Sequence, residues 1–101
     1  MSEFIKVAEL PDIQDGRAKK VVIKGQELAL YNVEGKVFAT TNICPHQGGP
    51  LDEGELDGNT IVCPWHGWMF DICTGQLAMN PSIKTRTYQV KVENNDVLVS
   101  L

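Results

Sequence analysis

Short stretches of the chain alternate apolar and polar residues, which is the pattern of β-strands that bury one face. The pattern is clearest near the C-terminus, where Tyr88, Val90 and Val92 are separated by polar residues. An Asn-Asn-Asp sequence at 94–96 then turns the chain back into a second apolar stretch. This part of the chain is therefore predicted to be a β-hairpin.

The same pattern predicts strands elsewhere and no α-helix, although residues 11–16 could hold a single helical turn. Gly25 and the Glu34-Gly35 pair mark two further tight turns. The fold class is thus predicted to be all-β. The predicted strands are Phe4–Val7, Val21–Ile23, Leu28–Asn32, Val37–Thr41, Thr60–Val62, Met69–Asp71, Thr87–Val92 and Val97–Leu101.

The length of 101 residues is that of a single domain, which we place at 1–101. Its three cysteines are an odd number, so a framework of disulfides is not expected. The N-terminus lacks the basic and apolar regions of a secretory signal. No apolar stretch approaches the roughly 20 residues of a membrane span. These features predict a cytoplasmic protein with no membrane partner.

The charges are distributed unevenly along the chain. Nine basic and thirteen acidic residues give a formal net charge of −4, but no basic residue lies between Lys36 and Lys84. Two interpretations of this interval remain open: a solvated acidic loop, or an acidic surface that attracts basic protein partners. Either one argues against binding to nucleic acid. The acidic residues of the interval are Asp52, Glu53, Glu55, Asp57 and Asp71.

Two segments inside this interval carry residues that bind metals. The first ligand segment is Cys44-Pro45-His46, and the second, after sixteen intervening residues, is Cys63-Pro64-Trp65-His66. Each supplies one thiolate and one imidazole, and together they hold both histidines of the chain. Two sulfur and two nitrogen ligands match a [2Fe–2S] cluster in which two histidines replace two cysteines on one iron.

The pattern, and much of the chain around it, resembles the Rieske ferredoxin family. The resemblance covers both ligand segments, the Gly-Gly-Pro-Leu stretch at 48–51, Phe70-Asp71 and Thr74-Gly75. It implies an antiparallel β-sandwich with a small cluster-binding subdomain, approximately residues 42–82, that is formed by two loops.

In that family both cysteines bind one iron and both histidines bind the other. Carried over to this chain, the resemblance implies that Cys44 and Cys63 hold a buried iron. His46 and His66 would hold the outer iron near solvent, where the electron enters and leaves. Neutral imidazoles leave the cluster less negative than four thiolates would, which makes reduction easier.

A structural zinc site is the alternative for the same four residues. Zinc fingers usually space their ligands as Cys-x₂₋₄-Cys and His-x₃₋₅-His, whereas each segment here mixes one cysteine with one histidine. The donor set and its spacing therefore favour iron. The third cysteine, Cys73, stands at a position that the family does not use as a ligand, and we expect a free thiol.

Rieske subunits of cytochrome bc-type complexes carry one more cysteine in each ligand segment, and these two form a disulfide. The matching positions here are Gly49 and Trp65, so that disulfide cannot form. Those subunits also use a serine and a tyrosine whose hydroxyls bond to sulfur, where this chain has Trp68 and Phe70. Without these hydroxyls the resemblance implies a reduction potential at the low end of the Rieske range, about −150 mV.

The resemblance implies a one-electron carrier that makes and breaks no bond in a substrate, and so is not itself an enzyme. Such ferredoxins pass electrons from a flavin-dependent ferredoxin reductase to a terminal oxygenase. The second hypothesis is a Rieske-like small subunit of an assimilatory nitrite reductase or of another multisubunit oxidoreductase. The chain is expected to be monomeric. The expected docking surface is made of Pro45, His46, Pro64, Trp65, His66 and the loop at Pro81.

Overall fold

The computed structural model describes residues 4–43, 50–65 and 67–100. In these ranges the chain forms eleven strands, two 3₁₀ turns (Leu10–Asp12 and Leu51–Glu53) and no α-helix. No helix there has the length and apolarity needed to cross a bilayer. The strands are β1 (Phe4–Glu9), β2 (Arg17–Ile23), β3 (Gln26–Val33), β4 (Lys36–Thr41), β5 (Glu55–Asp57), β6 (Thr60–Val62), β7 (Met69–Asp71), β8 (Gln76–Leu77), β9 (Asn80–Lys84), β10 (Thr87–Glu93) and β11 (Asp96–Ser100).

Two antiparallel sheets account for all of these strands. The larger sheet has the order β1-β11-β10-β4-β3-β2, and the smaller sheet has the order β5-β6-β7-β8-β9. The larger sheet curls, so that its edge strands β1 and β2 contact each other. This arrangement confirms the all-β, antiparallel sandwich that the sequence predicted.

Three tight turns fix the register of the larger sheet. They are Lys24-Gly25, Glu34-Gly35 and Asn94-Asn95, and every one of these residues has a positive φ. Positive φ at both central residues is required by the type I′ turn, whose twist matches that of the adjoining strands. Strands β2, β3 and β4 therefore pair from the turns outward, as do β10 and β11. The three turns predicted from the sequence are confirmed.

Strand β3 is buried on both of its faces, from Leu28 to Asn32. One face lies in the inner core, enclosed by the larger sheet. The other face lies in the intersheet core, which the smaller sheet covers. The inner core consists of Ile13, Leu28, Leu30, Val37, Ala39, Val97 and Val99. The intersheet core consists of Ala29, Tyr31, Leu51, Ile61, Cys63, Phe70, Ile72 and Leu77.

The observed strands differ from the predicted ones mainly in length. Strands β6 and β7 have the predicted bounds, whereas β2 begins at Arg17, four residues before the prediction. Leu101, the predicted end of the last strand, lies outside the described residues. The helical turn allowed for 11–16 is instead the 3₁₀ turn at Leu10–Asp12, where the backbone N–H of Glu9 donates to the Asp12 carboxylate at 3.2 Å. Strands β5, β8 and β9 were not predicted.

Candidate metal centre

Of the four predicted ligands, Cys63 lies in the part of the chain that the structure describes. Cys44, His46 and His66 lie outside the described residues, as do Pro45 and Gly49. Cys63 directly follows β6 and is 3% exposed. Its side chain belongs to the intersheet core, so this predicted ligand is held between the two sheets and not on a surface loop.

Two backbone hydrogen bonds close the Cys63 loop, which we define as residues 63–68. The N–H of Cys63 donates to the carbonyl of Trp68 at 2.7 Å, and the N–H of Gly67 donates to the carbonyl of Cys63 at 3.0 Å. Gly67 has a φ of 71°, a conformation that glycine adopts at little cost. The ends of the segment that contains His66 are therefore fastened to each other and to the start of β7.

The ends of the segment that contains the other two predicted ligands are also joined. Ile43 and Pro50 form an isolated antiparallel bridge, and residues 44–49 lie between them in the chain. Beyond this bridge, the N–H of Leu51 donates to the carbonyl of Asn42 at 2.9 Å. Positions 44–49, which include the first ligand segment, are thus flanked on both sides by paired backbone.

The residues that follow positions 44–49 pack against the start of the second ligand segment. Leu51 follows the bridge of the first segment and shares the intersheet core with Cys63. Gly54 then lies so close to the carbonyl of Val62, the residue before Cys63, that an added Cβ would overlap this oxygen. This packing brings Gly54 next to the residue that precedes the second ligand segment.

The donor chemistry fits a [2Fe–2S] cluster. Cys63 offers a sulfur ligand in apolar surroundings, among Leu51, Ile61 and Phe70, and burial of this kind is one of the factors that set a cluster's potential. In the described ranges, no group of three or more His, Cys, Asp or Glu side chains is arranged to hold a metal.

Cys73 differs from Cys63 in its exposure and in its position outside both ligand segments. It is exposed and lies in the turn after β7, where its backbone N–H donates to the Asp71 carboxylate at 2.7 Å. Partial burial and, next, the negative charge of Asp71 raise the pKa of its thiol. Among the described residues Cys73 forms no disulfide, in line with the predicted free thiol, and its raised pKa favours the less reactive protonated form.

The aromatic residues in and after the second ligand segment lie in different environments. Phe70 is fully buried in β7, and Trp68 packs against the same core with its ring centroid 6.3 Å from that of Phe70. Trp65 exposes 55% of its surface. It therefore lies at the outside of the Cys63 loop and is available to a partner.

Two exposed methionines lie in the smaller sheet or its turns, Met69 in a predicted strand and Met79 at a position that the sequence analysis did not single out. Met69 pairs with Val62 and is 43% exposed. The carbonyl of Met69 accepts the N–H of Ala78. The residue after Ala78 in the chain, Met79, is 82% exposed. Large exposed apolar side chains such as these two are candidates for interaction sites. Their sequence signal was weak, because isolated methionines are usually core residues.

Comparison with known proteins gives matches over the whole chain. The model of the Rieske [2Fe–2S] domain matches residues 3–94. The ferredoxin component of the naphthalene 1,2-dioxygenase system of Pseudomonas putida is 41% identical over 100 residues, which are 98% of this chain and 96% of that protein.

Solved structures also resemble the chain over nearly its full length. A ferredoxin crystallised with the reduced oxygenase of carbazole 1,9a-dioxygenase has a TM-score of 0.87 at 36% identity, over 96% of this chain and 92% of that one. A Mycobacterium tuberculosis protein named as the small subunit of an NADH-dependent nitrite reductase has a TM-score of 0.92 at 18% identity, over 100% of this chain and 96% of that one. At such low identity the second likeness shows the fold alone.

Proposed function

Since the chain belongs to the family of Rieske [2Fe–2S] domains, we propose that it carries single electrons from a flavin-dependent ferredoxin reductase to a terminal oxygenase. The observation that carries the proposal is the end-to-end similarity to a ferredoxin component of a dioxygenase system. When bound, the [2Fe–2S] cluster supplies the redox chemistry by taking up and releasing one electron. The polypeptide holds the cluster, limits its contact with water and presents it to partners.

The proposed ligands are Cys44 and Cys63 for the inner iron and His46 and His66 for the outer one. The burial of Cys63 in the intersheet core supports its assignment to the inner iron. The Ile43–Pro50 bridge that flanks the first ligand segment, and the packing of Gly54 against Val62 before the second, support a shared site. We further propose one domain, residues 1–101, whose cluster-binding subdomain covers approximately 42–82. Family membership also favours iron over the zinc site left open above.

The proposed docking surface for the oxygenase is the exposed end of the smaller sheet around the Cys63 loop. Trp65, Met69 and Met79 supply apolar area there, and tryptophan and methionine are enriched at protein interfaces. Glu53 and Glu55 are exposed on the adjoining turn and strand. They would attract a basic partner and speed its encounter at low salt.

We expect Trp65→Ala to slow electron transfer to the oxygenase about tenfold, because truncating a central interface tryptophan commonly costs about 1.4 kcal/mol or more. The measurement is stopped-flow mixing of the dithionite-reduced protein with the terminal oxygenase of a naphthalene 1,2-dioxygenase system. The matched control is Val22→Ala, which truncates a 59%-exposed apolar residue on β2, in the larger sheet.

The proposal requires that the Val22 variant transfer electrons at the wild-type rate and that the Trp65 variant keep its cluster. Equal rates for both variants would remove Trp65 from the docking surface. A reduced protein that delivers no electron to any ring-hydroxylating oxygenase, but copurifies tightly with a nitrite reductase, would overturn the carrier function. The nitrite reductase hypothesis has no support beyond the shared fold.

We expect a reduction potential near the low end of the Rieske range, about −150 mV. The physical reason is that Trp68 and Phe70 carry no hydroxyl that could stabilise the extra electron by bonding to sulfur. A redox titration followed by electron paramagnetic resonance measures this value. A potential above zero would contradict the assignment to the ferredoxin subtype.

A further inference from the structure

Asn42 has a hydrogen-bond partner for each of its polar atoms. It follows β4 and is 1% exposed. Its backbone N–H donates to the carbonyl of Glu27, and its carbonyl accepts the N–H of Leu51, both at 2.9 Å. Its side chain forms a reciprocal pair with Asp52: Oδ1 accepts the backbone N–H of Asp52 at 2.7 Å, and Nδ2 donates to the Asp52 carboxylate at 2.7 Å.

These contacts, which we call the Asn42 clip, join the chain on the two sides of the first ligand segment. Asn42 precedes the Ile43–Pro50 bridge, and Leu51 and Asp52 follow it. One of the side-chain bonds has an ionised acceptor, which makes it stronger than a bond between neutral groups. Burial of Asn42 also keeps water from competing for these bonds. The entropy of closing this loop is therefore lost when the protein folds, before any ligand is bound.

The clip also connects the two ligand segments. Leu51, which it holds by a backbone bond, lies in the intersheet core with Cys63. The turn that begins at Leu51 ends at Gly54, which lies against the carbonyl of Val62. A displacement at Asn42 would therefore be transmitted to the residue before Cys63.

We propose that Asn42 is a positioning residue for the cluster. Through the clip it sets the separation of the two ligand segments and so slows the loss of iron. This inference rests on the proposed set of ligands, but Asn42 itself is not one of them. Preorganisation of this kind acts on ligands through their supporting hydrogen bonds, and removing such bonds typically weakens metal binding tenfold or more.

The test is the rate at which the holoprotein loses its visible absorbance in excess EDTA, compared between two asparagine variants. Asn42→Ala removes the two side-chain bonds of the clip, to the backbone N–H and the carboxylate of Asp52, and keeps its two backbone bonds. Asn32→Ala removes a similar buried asparagine, 6% exposed, whose side chain bonds to the carbonyl of Ile13 at 2.7 Å and to the N–H of Gly35 at 2.9 Å. Both variants lose two side-chain hydrogen bonds, so a general loss of stability affects both.

We expect Asn42→Ala to lose its cluster about tenfold faster than the wild type, and Asn32→Ala to stay within about threefold. The resonance of the reduced Asn42 variant should also be broadened, because its ligands are held less uniformly. If Asn42→Ala does not fold, Asp52→Ala, at a partly exposed residue, tests the same bond. It should likewise release iron faster than Asn32→Ala.

The charge of Asp52 is separated from its hydrogen bond by Asp52→Asn, which keeps an acceptor oxygen and the backbone N–H. Retention of the cluster in this variant at the wild-type rate would support the clip, and loss as fast as in Asp52→Ala would overturn it in favour of charge. Equal rates for Asn42→Ala and Asn32→Ala would overturn the inference and leave the carrier function intact. A wild-type protein that binds no iron would instead overturn the proposed ligands.

Discussion

Cys63→Ser is expected to purify without iron, whereas Cys73→Ser keeps a full [2Fe–2S] cluster. Serine at 63 cannot supply a thiolate, the form of cysteine that binds metal. The site at 63 is also buried, so an external thiol cannot easily take its place. At position 73 the side chain is exposed and lies outside both ligand segments, so its sulfur is dispensable.

Iron content and the electron paramagnetic resonance of the reduced variants measure this difference. Because metal binding contributes to folding free energy, the Cys63 variant should also unfold at a lower temperature than the wild type. His66→Ala removes one of the two proposed imidazole ligands and should also abolish cluster assembly. A normal Rieske spectrum in either the Cys63 or the His66 variant would contradict the ligand assignment, as would loss of the cluster in Cys73→Ser.

Gly54→Ala should reduce the free energy of unfolding by about 3 kcal/mol, the upper part of the usual range for overpacking. Its φ of −77° suits any residue, so the cost is steric. The added methyl would overlap the carbonyl of Val62 and lie 3.1 Å from that of Leu51. Both neighbours are backbone atoms, which cannot rotate away.

Urea unfolding of Gly54→Ala and Gly58→Ala separates steric cost from backbone strain. Gly58 lies in the neighbouring β5–β6 turn, with a φ of 57° and open space around its Cα. Alanine there should cost about 1 kcal/mol, the usual penalty for a left-handed residue with a side chain. If Gly54→Ala is no less stable than Gly58→Ala, the close packing of the turn against β6 does not contribute to the free energy of unfolding.

The sequence predicted the strands that combine apolar alternation with turn residues. The β10–β11 hairpin shows this most clearly, because Val90 and Val92 alternate and Asn94-Asn95 adopts the left-handed turn. Strands β5, β8 and β9 lack these signals. β5 has a single apolar residue, Leu56, between two acids, and β8 has only two residues. β9 contains Pro81, which usually marks a strand end. Pairing with neighbouring strands, not local sequence, produces these three.

The sequence predicted the metal-binding chemistry of the candidate site, but not the hydrogen bonds that hold the surrounding backbone in place. Residue type and spacing predicted four ligands, and the burial of Cys63 agrees with the role proposed for it. The assignments of all four residues as ligands stay predictions. Nothing in the sequence indicated the Asn42 clip, because a single asparagine after a strand gives no sign of a partner ten residues away. Contacts of this kind depend on how the chain is folded in space.

The basic strand β2 has a consequence for how the protein behaves at high concentration. It ends the larger sheet, and no described strand pairs with its outer edge. Unpaired edges invite strands from other molecules to add to the sheet and aggregate. Arg17, Lys19 and Lys20 are exposed on this edge, and their like charges would repel those of a second copy. These basic residues made the first part of β2 too polar to be predicted as a strand. In the folded protein they oppose self-association.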